Sequence, residues 1–214
     1  MFAEKVYEAV QKELNGTVTL CAVSKRHSIE EIKTAYDLGQ RIFGENKAAE
    51  LVQKAEALPA DIEWHFIGHL QRNKVKQILP YVSCIQSLDS VRLAEMIEKE
   101  AAAIHKTVDC LLEFHLAASD TNKTGLLPEE AMTMLETCDR LPHVHLVGMM
   151  TMGPHTDDAA EIRRVFEAGH TLFQTLQEHS RDIQILSMGM SDDYHLAIEA
   201  GSNMVRIGSK LFQE

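Results

Sequence analysis

Long apolar stretches are missing from the sequence, and none approaches the roughly 18 residues that a membrane-spanning helix requires. The N-terminal segment interleaves acids and lysines with apolar positions, which is typical of an amphipathic helix and not of a signal peptide. Only four cysteines are present, and their spacing fits neither a metal site nor a disulfide framework. These absences predict a reduced protein of the cytoplasm without a membrane-spanning segment.

Positive charge is also scarce. The chain has 21 Lys and Arg against 32 Asp and Glu, which gives a formal net charge of −11. A surface of this sign repels phosphate backbones, and nucleic-acid binding is disfavoured unless a local basic patch overrides the repulsion. The most basic run, Arg72–Lys76, is short and typical of an exposed helix start. We therefore expect no nucleic-acid partner.

Linkers and shifts in composition are absent from the 214 residues, of which 45% are hydrophobic. This length and composition predict one domain spanning residues 1–214. Short apolar runs typical of buried strands alternate with amphipathic helical stretches along the chain. The predicted strands are Thr17–Val23, Arg41–Phe43, Glu63–Ile67, Val82–Gln86, Val108–His115, Val144–Met150, Gln184–Met188 and Met204–Ile207.

Helix start signals support this alternation. Ser28 followed by Glu31 fits a capping box, Pro128 suits a first helical turn, and Asp157-Asp158 places acids at the positive end of the dipole of a helix that runs to about Gln177. Eight strands, seven intervening helices and an N-terminal helix predict an α/β fold of the (β/α)8 TIM-barrel class. An open doubly wound sheet is the alternative, but its Gly-x-Gly-x-x-Gly fingerprint is missing after the first strand.

Polar residues and glycines collect where the predicted strands end. The carboxyl ends of the strands carry the working face of such barrels. Every predicted strand delivers at least one polar or glycine residue to this rim, a coincidence that favours a ligand site more than any single residue does. The rim residues are Ser24, Lys25, Gly44–Asn46, His65, Gly68–Gln71, Ser87, His115, Lys123–Gly125, Met149, Thr151, Gly189–Ser191, Gly208 and Ser209.

Two of these loops are typical of a phosphate site. In barrels of this kind phosphate binds at the loops after strands seven and eight, which here contain Gly189–Ser191 and Gly208-Ser209. Glycine lets backbone N–H groups approach an anion, serine hydroxyls donate hydrogen bonds, and a following helix N-terminus favours negative charge. Either loop alone is more commonly an ordinary turn.

Lys25 and Arg206 extend the phosphate hypothesis. Lys25 closes the first predicted strand, so its amine can reach the mouth of the barrel. Most lysines at strand ends are simply solvated. The functional hypothesis is that this amine attacks an aldehyde. Arg206 lies within the eighth strand and points either outward beneath a helix or into the barrel, where a guanidinium needs a partner. The nitrogen of a bound pyridine ring is one such partner. Together these positions suit a phosphorylated aldehyde.

Five segments are more specific than the rim pattern. They are Ala22–Lys25, Phe43–Asn46, Trp64–Lys74, Leu186–Asp193 and Met204–Ser209. These segments resemble the pyridoxal-phosphate homeostasis protein family, and the resemblance runs in order from about Val18 to Phe212. The blocks WHFIGHLQRNK and SMGMSDD are the most specific parts of it.

The resemblance implies a barrel similar to the N-terminal domain of alanine racemase, with pyridoxal 5'-phosphate (PLP) held as an internal aldimine on Lys25. It further implies that Arg206 is the partner of the pyridine nitrogen. By the same resemblance the phosphate cradle comprises Met190, Ser191, Gly208 and Ser209, and the ring is lined by Asn46, His65 and Met149.

A cofactor carrier is favoured over a catalyst. An arginine keeps the pyridine nitrogen unprotonated and so weakens PLP as an electron sink. Alanine racemase takes a second acid/base group, a tyrosine, from the second domain of a partner chain, and this sequence predicts no second domain. We expect a monomer that binds PLP and exchanges it with small amines, amino acids or apo-forms of PLP enzymes, so that free aldehyde is buffered.

Three other functions are compatible with parts of the pattern. A PLP-dependent amino-acid racemase is the main alternative, and it requires a second acid/base group. A Schiff-base aldolase on the same barrel would be colourless without substrate, whereas a PLP carrier is yellow. A metal hydrolase is suggested by the 11 histidines, but His65 and His69 fall on a strand and its loop, and His143 and His145 fall at a strand start, on the opposite end of the barrel.

Overall fold

Eight parallel strands form a closed barrel in the order β1 to β8 in the computed structural model, which describes residues 1–117 and 124–213. The closed order confirms the predicted (β/α)8 class and rules out the open sheet. The predicted rim residue Lys123 lies outside the described residues. The strands are β1 Thr19–Val23, β2 Ile42–Glu45, β3 Glu63–Phe66, β4 Val82–Leu88, β5 Val108–Phe114, β6 Val144–Thr151, β7 Ile185–Ser187 and β8 Met204–Ile207.

Helices surround the barrel. Helix α1 precedes the first strand, and each later helix of the described chain connects two successive strands. The longest of them, α7, is too polar to span a membrane, and the same finding covers every helix within 1–117 and 124–213. The helices are α1 Glu4–Leu14, α2 Ile29–Asp37, α3 Ala48–Ala57, α4 Val75–Ile78, α5 Val91–Ala103, α6 Ala131–Cys138, α7 Ala159–His179 and α8 Tyr194–Glu199.

The helix start signals are largely confirmed. The Ser28 hydroxyl accepts a hydrogen bond from the Glu31 N–H, and the Glu31 carboxylate accepts one from the Ser28 N–H, so the predicted capping box begins α2. Asp158 caps α7 by accepting from the Ala160 N–H at 2.9 Å. Pro128 differs, because it starts a short 3-10 turn that leads into α6 and not the α-helix itself.

Three strands extend beyond their predicted ends, and one of them, β6, continues a single residue further, to Thr151. Strand β2 continues to Glu45 and β4 continues to Leu88, two residues further than predicted in each case. Polar side chains near these ends are buried: Glu45 accepts from the Ser24 hydroxyl, Gln86 bonds to His65, and the Ser87 hydroxyl has no hydrogen-bond partner among the described residues. A polar residue that is hydrogen-bonded in this way does not need to leave the strand.

Apolar side chains pack on both sides of the sheet. A large cluster includes strand residues such as Ile85 together with helix residues such as Leu51. A smaller cluster contains Cys84, Leu111, Val147 and Met150. Successive side chains of a strand point to opposite faces of the sheet, so Cys84 of the small cluster and Ile85 of the large cluster lie on opposite faces. The small cluster fills the barrel interior, and the large cluster lies between the strands and the helices. All four cysteines are buried and unpaired, as expected of core residues.

Candidate functional site

Lys25 lies in a tight turn directly after β1. The His27 N–H closes this turn by donating to the Ser24 carbonyl oxygen at 3.1 Å. Arg26, the third residue of the turn, has a left-handed backbone with φ of 68°. This conformation costs a residue with a side chain about 1–2 kcal/mol. The turn therefore depends on further contacts, while the Lys25 side chain itself is exposed at the rim.

A cavity of about 490 Å³ opens beside this turn. Its lining includes Lys25 together with Gly208 and Ser209 from the loop after β8. Arg26 and His27 contribute to the same lining. The cavity is of the size that small-molecule ligands occupy in proteins. Strand pairing explains the juxtaposition, because β8 is the neighbour of β1 where the barrel closes.

The loops after β7 and β8 are in direct contact. The Gly208 N–H donates to the Ser191 hydroxyl oxygen at 3.2 Å. Gly189 has φ of 97°, a conformation that residues with side chains rarely adopt. A Cβ atom on Gly208 would lie 3.1 Å from both Cβ and the carbonyl oxygen of Val23, so glycine lets this loop approach β1 closely. The structure thus brings three of the predicted phosphate residues, Ser191, Gly208 and Ser209, into one neighbourhood.

The two methionines predicted for the site, Met190 and Met149, lie away from the cavity beside Lys25. Met190 is 40% exposed and lines a separate cavity with Asp192 and Asp193. Its N–H donates to the Asp193 carboxylate at 2.6 Å, so this amide is already engaged. Met149 is fully buried in the large cluster between the strands and the helices, whereas its neighbour Met150 belongs to the interior cluster. Neither methionine is brought to the cavity beside Lys25.

Arg206 points into the barrel and is buried. One terminal nitrogen donates to the carbonyl oxygen and the hydroxyl of Ser187 at 2.9 and 2.7 Å, and the other donates to the Thr151 carbonyl oxygen at 2.9 Å. These bonds use three of the five N–H groups of the guanidinium. Burial lowers the pKa of Arg206 from its ordinary value. The sequence left its direction open, and the structure settles it as inward.

A buried hydrogen-bonded chain connects Arg206 to the predicted ring-lining residue His65. The Ser187 hydroxyl donates to the Gln86 side-chain oxygen at 2.7 Å, and the Gln86 amide nitrogen lies 2.8 Å from His65 Nδ1. Burial lowers the pKa of His65 to about 4, so the imidazole is neutral at pH 7. With Nδ1 accepting from the amide, the imidazole proton is on Nε2.

Glu113 is a further interior group that the sequence reasoning did not single out. Its side chain is 3% exposed, Oε1 accepts from the Thr124 hydroxyl at 3.3 Å, and Oε2 has no hydrogen-bond partner among the described residues. Burial raises the pKa of this carboxyl to about 7, with the Asp89 carboxylate acting in the same direction. The available signal was an acid near the carboxyl end of β5, a mostly apolar strand that also contains Asp109.

Asn46 lies at the carboxyl end of β2, half-buried against the loop after β3. A Cβ atom on Gly68 would lie only 2.6 Å from the Asn46 carbonyl oxygen, so the two loops touch. Asn46 lines a cavity of about 270 Å³ that also includes His69 and Gln71. The structure therefore places Asn46 on the rim, in a cavity other than the one beside Lys25.

A barrel of eight parallel strands, with a rim lysine directly after β1 and touching loops after β7 and β8, defines the structural class of the alanine racemase N-terminal domain. Residues 4–214 match the family described as alanine racemase, N-terminal domain. The solved alanine racemase of Clostridium difficile is 15% identical with a TM-score of 0.82, and the match covers 99% of this chain and 56% of that one. At this identity the likeness concerns the fold alone.

Relatives of higher sequence identity show which family within this structural class the chain belongs to. The pyridoxal phosphate homeostasis protein of Helicobacter pylori is 42% identical over 203 residues, covering 92% of this chain and 88% of that protein. Its counterpart in Aquifex aeolicus is 39% identical over 218 residues, covering 98% and 95%. The chain belongs to the pyridoxal phosphate homeostasis protein family. The solved structure of PipY from Synechococcus elongatus with PLP bound is 32% identical with a TM-score of 0.89, covering 97% of this chain and 98% of that one.

Proposed function

We propose that this protein binds PLP through Lys25 and acts in intracellular PLP homeostasis. The observation that carries the proposal is the cavity in which Lys25 meets Gly208 and Ser209. PLP supplies an aldehyde that condenses with an amine and releases water, and Lys25 is the lysine among the described residues that line the cavity. PipY, which shares the fold and 32% of its residues with this chain, has been solved with PLP bound.

The anionic end of the ligand fits the touching loops. Ser191 and Gly208 are already joined by a hydrogen bond, and Ser209 is exposed beside them. A phosphate can accept hydrogen bonds from the serine hydroxyls and from backbone N–H groups of these loops. The missing Cβ of Gly208 keeps the loop against Val23. We assign the phosphate to Ser191, Gly208 and Ser209. Met190 stays a prediction, because it lines a separate cavity and not the one beside Lys25.

The ring end of the ligand is assigned to Arg206 and His65. Arg206 uses three donors on Ser187 and Thr151, which leaves donors for an acceptor such as a pyridine nitrogen. A guanidinium does not give up its proton, so it favours the unprotonated ring nitrogen. Asn46 stays a prediction, because it lines a cavity other than the one beside Lys25, and the buried position of Met149 gives its predicted ring contact no support.

A carrier is the function that we propose, and not a catalyst. Racemisation needs two proton-transfer groups on opposite sides of the substrate. Tyr194 begins α8, its hydroxyl donates to Glu13 of α1, and it is not part of the lining of the cavity beside Lys25. The racemase alternative finds one supporting observation in Glu113, whose pKa of about 7 would let it hold or release a proton. Chiral analysis of alanine and other amino acids incubated with the PLP-loaded protein distinguishes the two, and the carrier predicts no inversion.

The partners follow from this role. We propose that small amines, amino acids and apo-forms of PLP enzymes take the cofactor from Lys25, that the protein is a monomer, and that it works in the cytoplasm. The net charge of −11 is consistent with small cationic amines as exchange partners.

The direct test of the proposed function is chemical fixation of the cofactor on the unsubstituted protein. After incubation with PLP and removal of the excess, borohydride reduction should leave one stable pyridoxyl group, and peptide mass spectrometry should find it on Lys25. The yellow colour should disappear on reduction. A stable adduct on a different lysine, or no retained PLP, refutes the assignment.

Ser191→Ala tests the phosphate end separately. Losing a hydroxyl that donates to a charged group removes about 1.5–3 kcal/mol, so we expect at least about tenfold weaker binding of pyridoxine 5'-phosphate. Binding of unphosphorylated pyridoxine should not change. Isothermal titration of both ligands measures this difference, and an equal loss for the two would show that Ser191 does not contact the phosphate.

A further inference from the structure

A buried ion cluster lies behind the turn that carries Lys25. Lys54 of α3 is 4% exposed, and its ammonium donates to Glu45 Oε1, Glu50 Oε1 and the Ser24 carbonyl oxygen, each at 2.7 Å. An ammonium has three N–H groups, so these acceptors satisfy all of them. We call Lys54, Glu45 and Glu50 the Lys54 cluster.

The cluster holds both chain neighbours of Lys25. On one side, Ser24 is bound twice, through its carbonyl oxygen to Lys54 and through its hydroxyl to Glu45 at 2.6 Å. On the other side, the Arg26 N–H donates to Glu50. Residues from β2 and α3 thereby fix the backbone immediately before and after Lys25.

Stability alone is a poor explanation of this arrangement. Burying charges is costly, and apolar residues of similar volume often stabilise a protein as well as a buried ion pair does. Burial raises the pKa of Glu45, which shows the cost, and its Oε2 has no partner within the described residues. Burial also opposes ionisation of Glu50, but the bonds from Lys54 and from the Arg26 N–H outweigh it and lower the pKa. What the cluster provides is a fixed geometry.

The fixed geometry concerns a strained turn. Arg26 holds a left-handed backbone that it would otherwise leave, and Glu50 accepts the N–H of that same residue. Strained backbone persists where surrounding contacts over-determine it. We propose that the Lys54 cluster positions Lys25, holding the turn so that the amine faces the cavity shared with Gly208 and Ser209. The proposal rests on the proposed function, because it concerns the reaction of Lys25 with the aldehyde.

Glu50 offers a matched pair of variants. Both hydrogen bonds at this residue end on Oε1, so Glu50→Gln can keep them through its amide oxygen, whereas Glu50→Ala loses both. Stopped-flow absorbance after mixing with PLP measures the rate at which Lys25 captures the aldehyde. We expect Glu50→Ala to be at least about tenfold slower than the unsubstituted protein, and Glu50→Gln to stay within about threefold of it.

A second ligand separates positioning from general damage. Pyridoxine 5'-phosphate carries an alcohol in place of the aldehyde, so it can use the phosphate loops but cannot bond to Lys25. Its affinity should be the same in both Glu50 variants as in the unsubstituted protein. A purely structural role for Glu50 predicts instead that Glu50→Ala weakens both ligands together.

The outcomes discriminate between the two proposals. If Glu50→Ala captures PLP at the unsubstituted rate, or loses both ligands in parallel, positioning by the Lys54 cluster is overturned while the proposed function stands. If the unsubstituted protein captures no PLP at all, the proposed function fails, and the positioning proposal falls with it. Slow capture with intact pyridoxine 5'-phosphate binding, recovered in Glu50→Gln, supports it.

Discussion

A Lys25→Ala variant is expected to lose the visible absorbance of bound PLP and the borohydride-stable adduct completely. Lys25 is the lysine that shares a cavity with both Gly208 and Ser209 in the described chain. Without its amine, the aldehyde loses its lysine partner in this cavity, and the phosphate and ring contacts remain. We expect PLP affinity to fall at least about tenfold, or about 1.4 kcal/mol. Absorbance spectroscopy and mass spectrometry after reduction measure the loss.

Two controls make this result specific to the amine. Lys12→Ala removes an exposed lysine of α1 and should keep the spectrum and the adduct of the unsubstituted protein. Pyridoxine 5'-phosphate should bind Lys25→Ala within about twofold of its normal affinity, since the phosphate loops are untouched. A Lys25→Ala protein that remains yellow after desalting would mean that another lysine carries the cofactor.

The barrel was predictable because its signal is repeated along the whole chain. Eight apolar runs alternate with helical stretches, and an error of two residues at the end of β2 or β4 does not alter the order of elements. The closure of the sheet into a barrel follows from the number of strands. A right-twisted parallel sheet of eight strands with helices on one side can pair β1 with β8. The rim was predictable for the same reason, because every parallel strand ends on the same side.

The barrel interior was much less predictable. Gln86 and Ser187 lie within strands whose other residues are mostly apolar, and only their inward direction makes them partners of His65 and Arg206. The pairing of β5 with β4 and with β6 also shifts register, and sequence alternation does not reveal these shifts. The Lys54 cluster was hidden similarly, because Glu50 and Lys54 lie far along the chain from the turn that they hold and have the pattern of ordinary surface charges on a helix. Glu45 was visible only as a polar residue at a strand end.

Glu113 should make the stability of the protein depend on pH, and Glu113→Gln should remove that dependence. Its carboxyl has an ordinary pKa of 4.5, raised to about 7 by burial. Because the pKa is raised in the folded state, the contribution of Glu113 to stability is fully present below pH 4.5 and is lost as pH rises through 7. At 1.36 kcal/mol per pH unit, the difference corresponds to about 3 kcal/mol less stability at pH 8 than at pH 4.5.

The substitution isolates this effect. Glutamine has nearly the same shape as glutamate and can still accept from Thr124, but it cannot ionise beside Asp89 and Arg206. Urea unfolding should therefore find Glu113→Gln more stable than the unsubstituted protein at pH 8 and similar to it at pH 5. His65 acts in the opposite direction, since its pKa of about 4 causes loss of stability as pH falls below 6.5. That contribution is common to both proteins and cancels in their difference. The control Glu63→Gln, at an exposed site on β3, should have the same stability as the unsubstituted protein at every pH. If Glu113→Gln also has that stability at every pH, the buried carboxyl ionises without cost to the folded state.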